Sequence, residues 1–392
     1  MKIIEREISQ AQVDALVQNG VAPLLARLFV GRGVQSPQEL DTGLQHLLPP
    51  SGLKGIEAAA QLLAQAIAAQ QRICIVADYD CDGATACAVA VRGLRMLGAQ
   101  HVSYEVPDRV QDGYGLSPAI ARRVAAQGYG LLVTVDNGIG SIAGVREAQR
   151  LGLQVLVTDH HLPGAELPTP EAMVNPNQPG CGFASKSLAG VGVMFYVLLQ
   201  LRALLRERGA YAAAPQPKLD TLLPLAALGT VADEVRLDTN NRRLVDQGLL
   251  RIRKGHMPAG MRALYQAAGK TWQQASTQDF GFALGPRINA AGRLADMTIG
   301  IECLLTDDFG QALELAQALD RINRQRQHLE GDMRQQAFAL AEGLCQDSGS
   351  APAAISVFDP EFHEGVVGIV ASRIKDKLHR PTFVFAASQA EG

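Results

Sequence analysis

Three short acidic runs in this chain each follow an apolar stretch. Asp78-Tyr79-Asp80-Cys81-Asp82-Gly83 follows residues 72–77, Asp136-Asn137-Gly138 follows residues 131–135, and Asp159-His160-His161 follows residues 154–158. In an open parallel sheet the carboxyl ends of the strands lie on one edge, and ligands bind there. If the three stretches are strands of one sheet, Asp80, Asp82, Asp136, Asp159, His160 and His161 converge on one crevice. Carboxylates at such range repel one another unless cations neutralise them. An isolated Asp at a strand-to-helix junction is ordinarily a helix cap. Recurrence at three strand ends favours a metal cluster instead. Oxygen ligands with an imidazole and no thiolate suit Mn²⁺ or Mg²⁺, two ions, better than zinc or iron–sulfur.

Side chains alternate in extended chain, so Asp78, Asp80 and Asp82 are expected on one face, with Tyr79 and Cys81 turned away. The adjacent His160 and His161 must then point in different directions, one to a metal and the other to a phosphate or water. Helices expected to begin near Ala84 and Ser141 would aim free N–H groups at the crevice, an arrangement that favours phosphate. Hard cations beside anion-binding helix ends describe phosphoester hydrolysis by a metal-activated water.

The elements that must position these groups form a β/α alternation. Strands are expected at residues 72–77, 101–106, 131–135 and 154–158, and helices at 84–97, after Ser117-Pro118, and at 141–151. Strands alternating with 10–15-residue helices read as βαβ units and a mainly parallel sheet. Residues 1–55 read as a helical preamble broken by Pro23, Pro37, Pro49 and Pro50. Helical material dominates residues 188–268, and the charged stretch 241–254 could bridge two lobes. A second segment opens with a Gly/Arg/Asn-rich turn near Phe280. It continues with a helix at 311–344, a strand at 353–358, a helix at 365–378 and a strand at 382–386. The sequence ends soon after that strand, which is expected to be an unpaired or poorly covered edge of an incomplete domain. The expected architecture is therefore α/β: an N-terminal helical segment (1–55), a parallel-sheet domain (56–235), a helical linker (236–278) and a smaller, partial α/β domain (279–392).

Composition narrows the function classes. The hydrophobic share is 47% and the charged share 19% over 392 residues, which supplies a full core and excludes global disorder. Lys+Arg 36 against Asp+Glu 39 leaves a net charge of −3, so any nucleic-acid contact must come from a local patch. Residues 188–199 form the longest apolar run, too short to span a bilayer, and the first residues show no secretory pattern. Six cysteines without a CxxC pair suit a reducing cytoplasm and exclude a disulfide framework. One Trp and 5% aromatic residues exclude a long stacking platform. No membrane partner is expected.

These residues carry a resemblance. The three acidic runs, with Gly229-Thr230-Val231-Ala232-Asp233, resemble motifs one to four of the DHH phosphoesterase superfamily, in its RecJ-type single-strand-specific exonuclease branch. Gly285-Pro286-Arg287-Ile288-Asn289-Ala290-Ala291-Gly292-Arg293-Leu294 and the run from His363 to Arg373 extend the match into the DHH-associated domain. The resemblance implies that Asp80 and Asp82 each hold one metal, Asp136 bridges both, His160 binds one and Asp233 completes the cluster. Residue type and spacing alone do not nominate Asp233. Asp78, Asp136 and His161 are implied to act at the scissile phosphate. Many members carry a His where this sequence has Val76, and members normally continue into a Gly-rich motif and an oligonucleotide-binding barrel that this sequence lacks. Weak strand grip is the expectation that follows.

Guanidinium forks suit bidentate phosphate contacts. Arg287, Asn289 and Arg293 are candidates in the Gly-bounded turn, and Tyr114 is a candidate for base stacking. The resemblance adds Arg109, Ser372 and Arg373 as ligands of a terminal 5′-phosphate. It implies an exonuclease releasing nucleotides from the 5′ end of single-stranded DNA in recombination and repair, working with a single-strand-binding protein and a helicase. The alternatives are a small-substrate phosphoesterase (a nanoRNase or nucleotide phosphatase) and a non-catalytic replication scaffold of the same fold.

Overall fold

The computed structural model describes residue 4 and residues 6–108, 112–347 and 352–388, with side chains left out at 345–347. Five strands, β1 (Ile73–Ala77), β2 (Val102–Glu105), β3 (Leu131–Val135), β4 (Gln154–Thr158) and β5 (Ala172–Val174), form one sheet in the order β2-β1-β3-β4-β5. Every pair is parallel. β1 and β3 are buried along their whole length, as continuous apolar strands between two helical layers must be. The chain leaves β1 towards β2 on one side and returns to build β3, β4 and β5 on the other. The gap between β1 and β3 is thus the switch point at which ligands enter such sheets.

Two apolar layers cover the sheet. On one face Ile73, Ile75, Leu131 and Val133 pack with α3 (Ile56–Ala68), α4 (Cys81–Met96), α7 (Gly190–Glu207) and α8 (Leu223–Ala232). On the other, Cys74, Val76, Leu132 and Val155 pack with α5 (Pro118–Ala126) and α6 (Ile142–Arg150). Ser117 caps α5 by accepting the Ile120 N–H, with Pro118 in the first position, where its missing donor costs nothing. The apolar run 188–199 supplies the buried half of α7. Two N-terminal helices, α1 (Gln10–Gln18) and α2 (Pro23–Gly31), enclose a small cluster of their own.

The connection between the halves is helical but does not bridge open space. α9 (Thr239–Arg253) and α10 (Ala259–Ala267) bury Leu244, Ile252, Met261 and Leu264 in the first core. The single turn α11 (Thr277–Asp279) runs through a π-turn (Phe280–Leu284) into α12 (Gly285–Leu294) and α13 (Thr298–Leu305). Ile288, Ile301, Ala316 and Leu319 belong to that same core, so packing changes inside the 39-residue helix α14 (Phe309–Asp347) rather than at residue 279. From Met333 onward a separate cluster forms with β6 (Ile355–Phe358), α15 (Val367–Leu378) and β7 (Thr382–Phe385). The last strand is paired, but it is the poorly covered edge expected as the other possibility, with Phe383 and Phe385 about half exposed. β7 pairs in parallel with β6, Val357 beside Val384, and α14 and α15 cover one face of the pair. Among the described residues no helix is long and apolar enough to cross a membrane.

Candidate metal centre

The register of the sheet assembles the acids. Ala77 is level with Val135, and Val135 with Thr158, so Asp78, Asp136 and Asp159 each come one residue beyond neighbouring strand ends. The expectation that Asp78, Asp80 and Asp82 alternate in extended chain fails, because α4 begins at Cys81. Asp80 is its N-cap, accepting the Gly83 N–H at 2.9 Å. Asp82 instead reaches inward from the first turn. Its carboxylate accepts the Gly190 N–H at 2.6 Å and the Val191 N–H at 3.0 Å, two donors from the start of α7. The first turn of α4 offers the crevice fewer free N–H groups than expected. Asp80 holds one, and Asn289 Oδ1 holds that of Cys81 at 2.6 Å.

Asp136 has a left-handed backbone, φ +63°, and is buried. Asp tolerates that region better than most residues, and the strain marks a position the surroundings impose. Asp136 Oδ1 lies 3.1 Å from His160 Nε2, and His160 Nε2 lies 3.4 Å from Asp233 Oδ2 at the C-terminal end of α8. Both Asp136 Oδ1 and His160 Nε2 are buried without a hydrogen-bond partner. Ligand atoms fall within 4.8 Å of one another in three sets: Asp78, Asp80 and Asp136; Asp82, His160 and Asp233; Asp136, His160 and His161. Orphaned buried donors and acceptors in an oxygen-rich set fit hard divalent cations.

Electrostatics points the same way. Burial first, then the charge of Asp80, pushes the carboxyls of Asp78 and Asp82 up to about 7. Burial and the charge of Asp82 do the same to Asp233. Burial and the charges of Asp82, Asp80 and Asp78 push Asp136 well above the carboxylate range. Asp159 differs. Burial opposes its ionisation, but hydrogen bonding and charge from His161, with the Ile139 and His161 N–H groups, hold it below its ordinary value. Asp159 Oδ1 lies 2.7 Å from His161 Nδ1 and lifts that imidazole to about 9, so His161 carries charge at neutral pH. The two histidines diverge, His160 to Asp136 and Asp233, His161 to Asp159 and the Tyr114 hydroxyl at 3.3 Å. The same Tyr114 hydroxyl lies 3.2 Å from the Asp136 carbonyl, and its ring meets Tyr79 and His161 edge-on.

The substrate candidates divide. Arg293 and Arg373 line a cavity of about 340 Å³ with Glu234, Phe282, Asn289 and Arg326, next to Asp233. Arg373 is half-exposed, 3.5 Å from Glu330. Arg287 is not available for substrate: its guanidinium lies 2.8 Å from Asp320 and donates to the Ala283 carbonyl. Asn289 keeps its oxygen for Cys81, as above. Ser372 is exposed on α15 outside this cavity, and Arg109 lies outside the described residues. Sequence reasoning missed Phe282, which is 82% exposed, since a Phe in an apolar turn gives no local signal of it; Arg326 also lines the cavity, but Glu330 and Asn323 hold its guanidinium as Asp320 holds that of Arg287. A larger cleft, about 1230 Å³, is lined by Glu105, Asp108, Asp112, Asp296, Glu302 and Glu364 together with Arg123, Arg293 and His363, so it shares Arg293 with the smaller cavity.

Comparison with known proteins shows the family. The DHH family N-terminal domain matches residues 72–230. A single-stranded-DNA-specific exonuclease RecJ from Salmonella typhimurium is 49% identical over 387 residues, covering 97% of this chain and 67% of that protein. A Bacillus subtilis protein of the same name is 37% identical, covering 98% of this chain and 47% of its own length. The chain thus spans at most about two thirds of these relatives. A crystal structure of exonuclease RecJ bound to manganese superposes with a TM-score of 0.75 at 38% identity, covering 86% of this chain and 81% of that one. RecJ from Thermus thermophilus in complex with Mn²⁺ gives 0.80 at 36% identity, covering 96% and 52%.

Proposed function

The chain belongs to the RecJ-type branch of the DHH phosphoesterase family, and from that premise we propose that it is a divalent-metal-dependent exonuclease removing nucleotides from the 5′ end of single-stranded DNA in recombination and repair. The observation that carries this reading is a pair of buried ligand atoms, Asp136 Oδ1 and His160 Nε2, that face each other at 3.1 Å without a hydrogen bond, amid four further carboxylates. Asp78, Asp80 and Asp136 would hold one ion, and Asp82, His160 and Asp233 the other, with Asp136 reaching both. When bound, Mn²⁺ or Mg²⁺ supplies an activated water and neutralises charge at the phosphate.

The protein's own residues do the rest. The α7 amides orient Asp82, so its carboxylate need not reorganise when ligand binds. Asp159 fixes His161 through Nδ1 and keeps it protonated, leaving Nε2 to hold a phosphate oxygen and give a proton to the departing 3′-oxygen. Arg293 and Arg373 attract backbone phosphates, and Phe282 and Tyr114 offer faces on which bases stack. Residues 56–235 carry the metal centre in this reading, and the segment from 279 supplies strand contacts. Because the substrate must be unpaired, a helicase that opens duplex and a single-strand-binding protein that keeps it open are the partners proposed for it, in the cytoplasm.

The test uses single-stranded, duplex and dinucleotide substrates labelled at either end, with Mn²⁺ and with EDTA. Release of the 5′ label from single strands only, and only with metal, supports the reading. Preference for dinucleotides, or cleavage in EDTA, contradicts it.

A further inference from the structure

The motif around Asn289 touches the metal loop itself. Asn289 stands on α12, 208 positions beyond Cys81, and its Oδ1 accepts the Cys81 N–H at 2.6 Å. Cys81 is the residue between Asp80 and Asp82. Its N–H is the first of the orphan donors that an α-helix leaves at its start, where a partner must come from outside the helix. Asp80 satisfies Gly83 from within the chain segment, and Asn289 satisfies Cys81 from across the molecule. One turn further along α12, Gly292 lies against the Tyr79 carbonyl. A Cβ on Gly292 would stand 1.9 Å from that oxygen and 2.9 Å from Met297 Cε, so no other residue fits there without displacement. Contacts from α12 thus grip the chain on both sides of Asp80.

We propose that Asn289 is a positioning residue of the metal centre: it fixes the peptide joining Asp80 to Asp82, and the docking of α12, not the sheet alone, completes the ligand set. The inference rests on the metal-centre reading above. It differs from a role for Asn289 as a DNA ligand, which its place in the wall of the arginine-lined cavity would otherwise suggest.

The experiment titrates Mn²⁺ into the full chain, follows free Mn²⁺ by electron paramagnetic resonance, and separately measures binding of a 5′-phosphorylated single strand in EDTA by fluorescence anisotropy. Partners that orient metal ligands typically contribute 10- to 100-fold in metal affinity. Asn289→Leu, which keeps the branching and the number of heavy atoms and loses the acceptor, is expected to weaken Mn²⁺ binding by about 10- to 100-fold with strand affinity in EDTA unchanged. Asn289→Ala is expected to act in the same direction and serves if the leucine variant does not fold. Asn289→Asp, which keeps the acceptor, is expected to retain wild-type Mn²⁺ affinity. Unchanged Mn²⁺ affinity in both Asn289→Leu and Asn289→Ala overturns the proposal, as does a loss of strand affinity with Mn²⁺ binding intact. Failure of the wild-type chain to bind Mn²⁺ would overturn the underlying reading instead.

Discussion

The Gly190 amide donates to Asp82 Oδ2 across 2.6 Å, and the same glycine lies against Asp136: a Cβ at 190 would stand 2.4 Å from Asp136 Oδ1. One residue at the start of α7 thus positions an acid from the β1 junction and leaves room for an acid from the β3 junction. Gly190→Ala should therefore displace Asp136, Asp82 or both. We expect loss of Mn²⁺ binding and a roughly 100-fold or greater fall in cleavage, since misplacement by about 1 Å can have that effect. Circular dichroism should still report a folded chain. Wild-type Mn²⁺ affinity in this variant would show that the close approach is not needed.

Metal removal should couple to pH. Asp78, Asp82 and Asp233 titrate near 4 in an unfolded chain and at about 7 in the metal-free fold. The folded state therefore binds more protons. The stability these groups contribute is complete at low pH and is lost as pH rises through about 7. Cations remove the repulsion but must displace the protons. The rise in melting temperature on adding Mn²⁺ should be larger at pH 8 than at pH 6. An equal or opposite shift in differential scanning calorimetry would contradict the burial and repulsion assigned to these acids.

Substitution at Asp136 separates charge from backbone. Both Asp136→Asn and Asp136→Ala should abolish cleavage, because this carboxylate belongs to the set with Asp78 and Asp80 and lies 3.1 Å from His160 of the set with Asp82 and Asp233. In metal-free protein Asp136→Asn should melt no lower than wild type, since it removes a buried carboxyl whose ionisation the site opposes and still tolerates φ +63°. Asp136→Ala should be less stable than Asp136→Asn by about 1 kcal/mol, the cost of the left-handed region for Ala. Equal stabilities would show that the backbone relaxes freely.

The two arginines should part company. Arg373→Ala should weaken binding of 5′-phosphorylated strands more than 5′-hydroxyl strands. Arg287→Ala should instead lower stability by about 2 kcal/mol through its lost charge-assisted bonds to Asp320, with phosphate discrimination retained. The reverse pattern in chemical denaturation and anisotropy would exchange their roles.

What the sequence made legible follows from the range of each interaction. β1, β3 and β4 stand out because strands buried on both faces must be continuous apolar runs, and the acids at their ends follow from register. β5, three residues in a Pro-bearing stretch, carries no such pattern. The start of α4 is hidden because Asp80 and Asp82 look alike locally, though one caps the helix and the other enters it. Asp233 ends an apolar helix and reveals its role only beside His160, 3.4 Å away in space. Arg287 and Asn289 look like phosphate ligands in the sequence because their partners, Asp320 and Cys81, lie 33 and 208 positions distant. No local pattern encodes such a partner.

The central claim, that these buried acids form a two-cation centre, is tested most directly by the stoichiometry of Mn²⁺ bound to the full chain at pH 8 by equilibrium titration. The account predicts two ions per chain for the wild type and loss of both at low Mn²⁺ in Asp136→Asn. No bound Mn²⁺, or wild-type stoichiometry and affinity in Asp136→Asn, would contradict it.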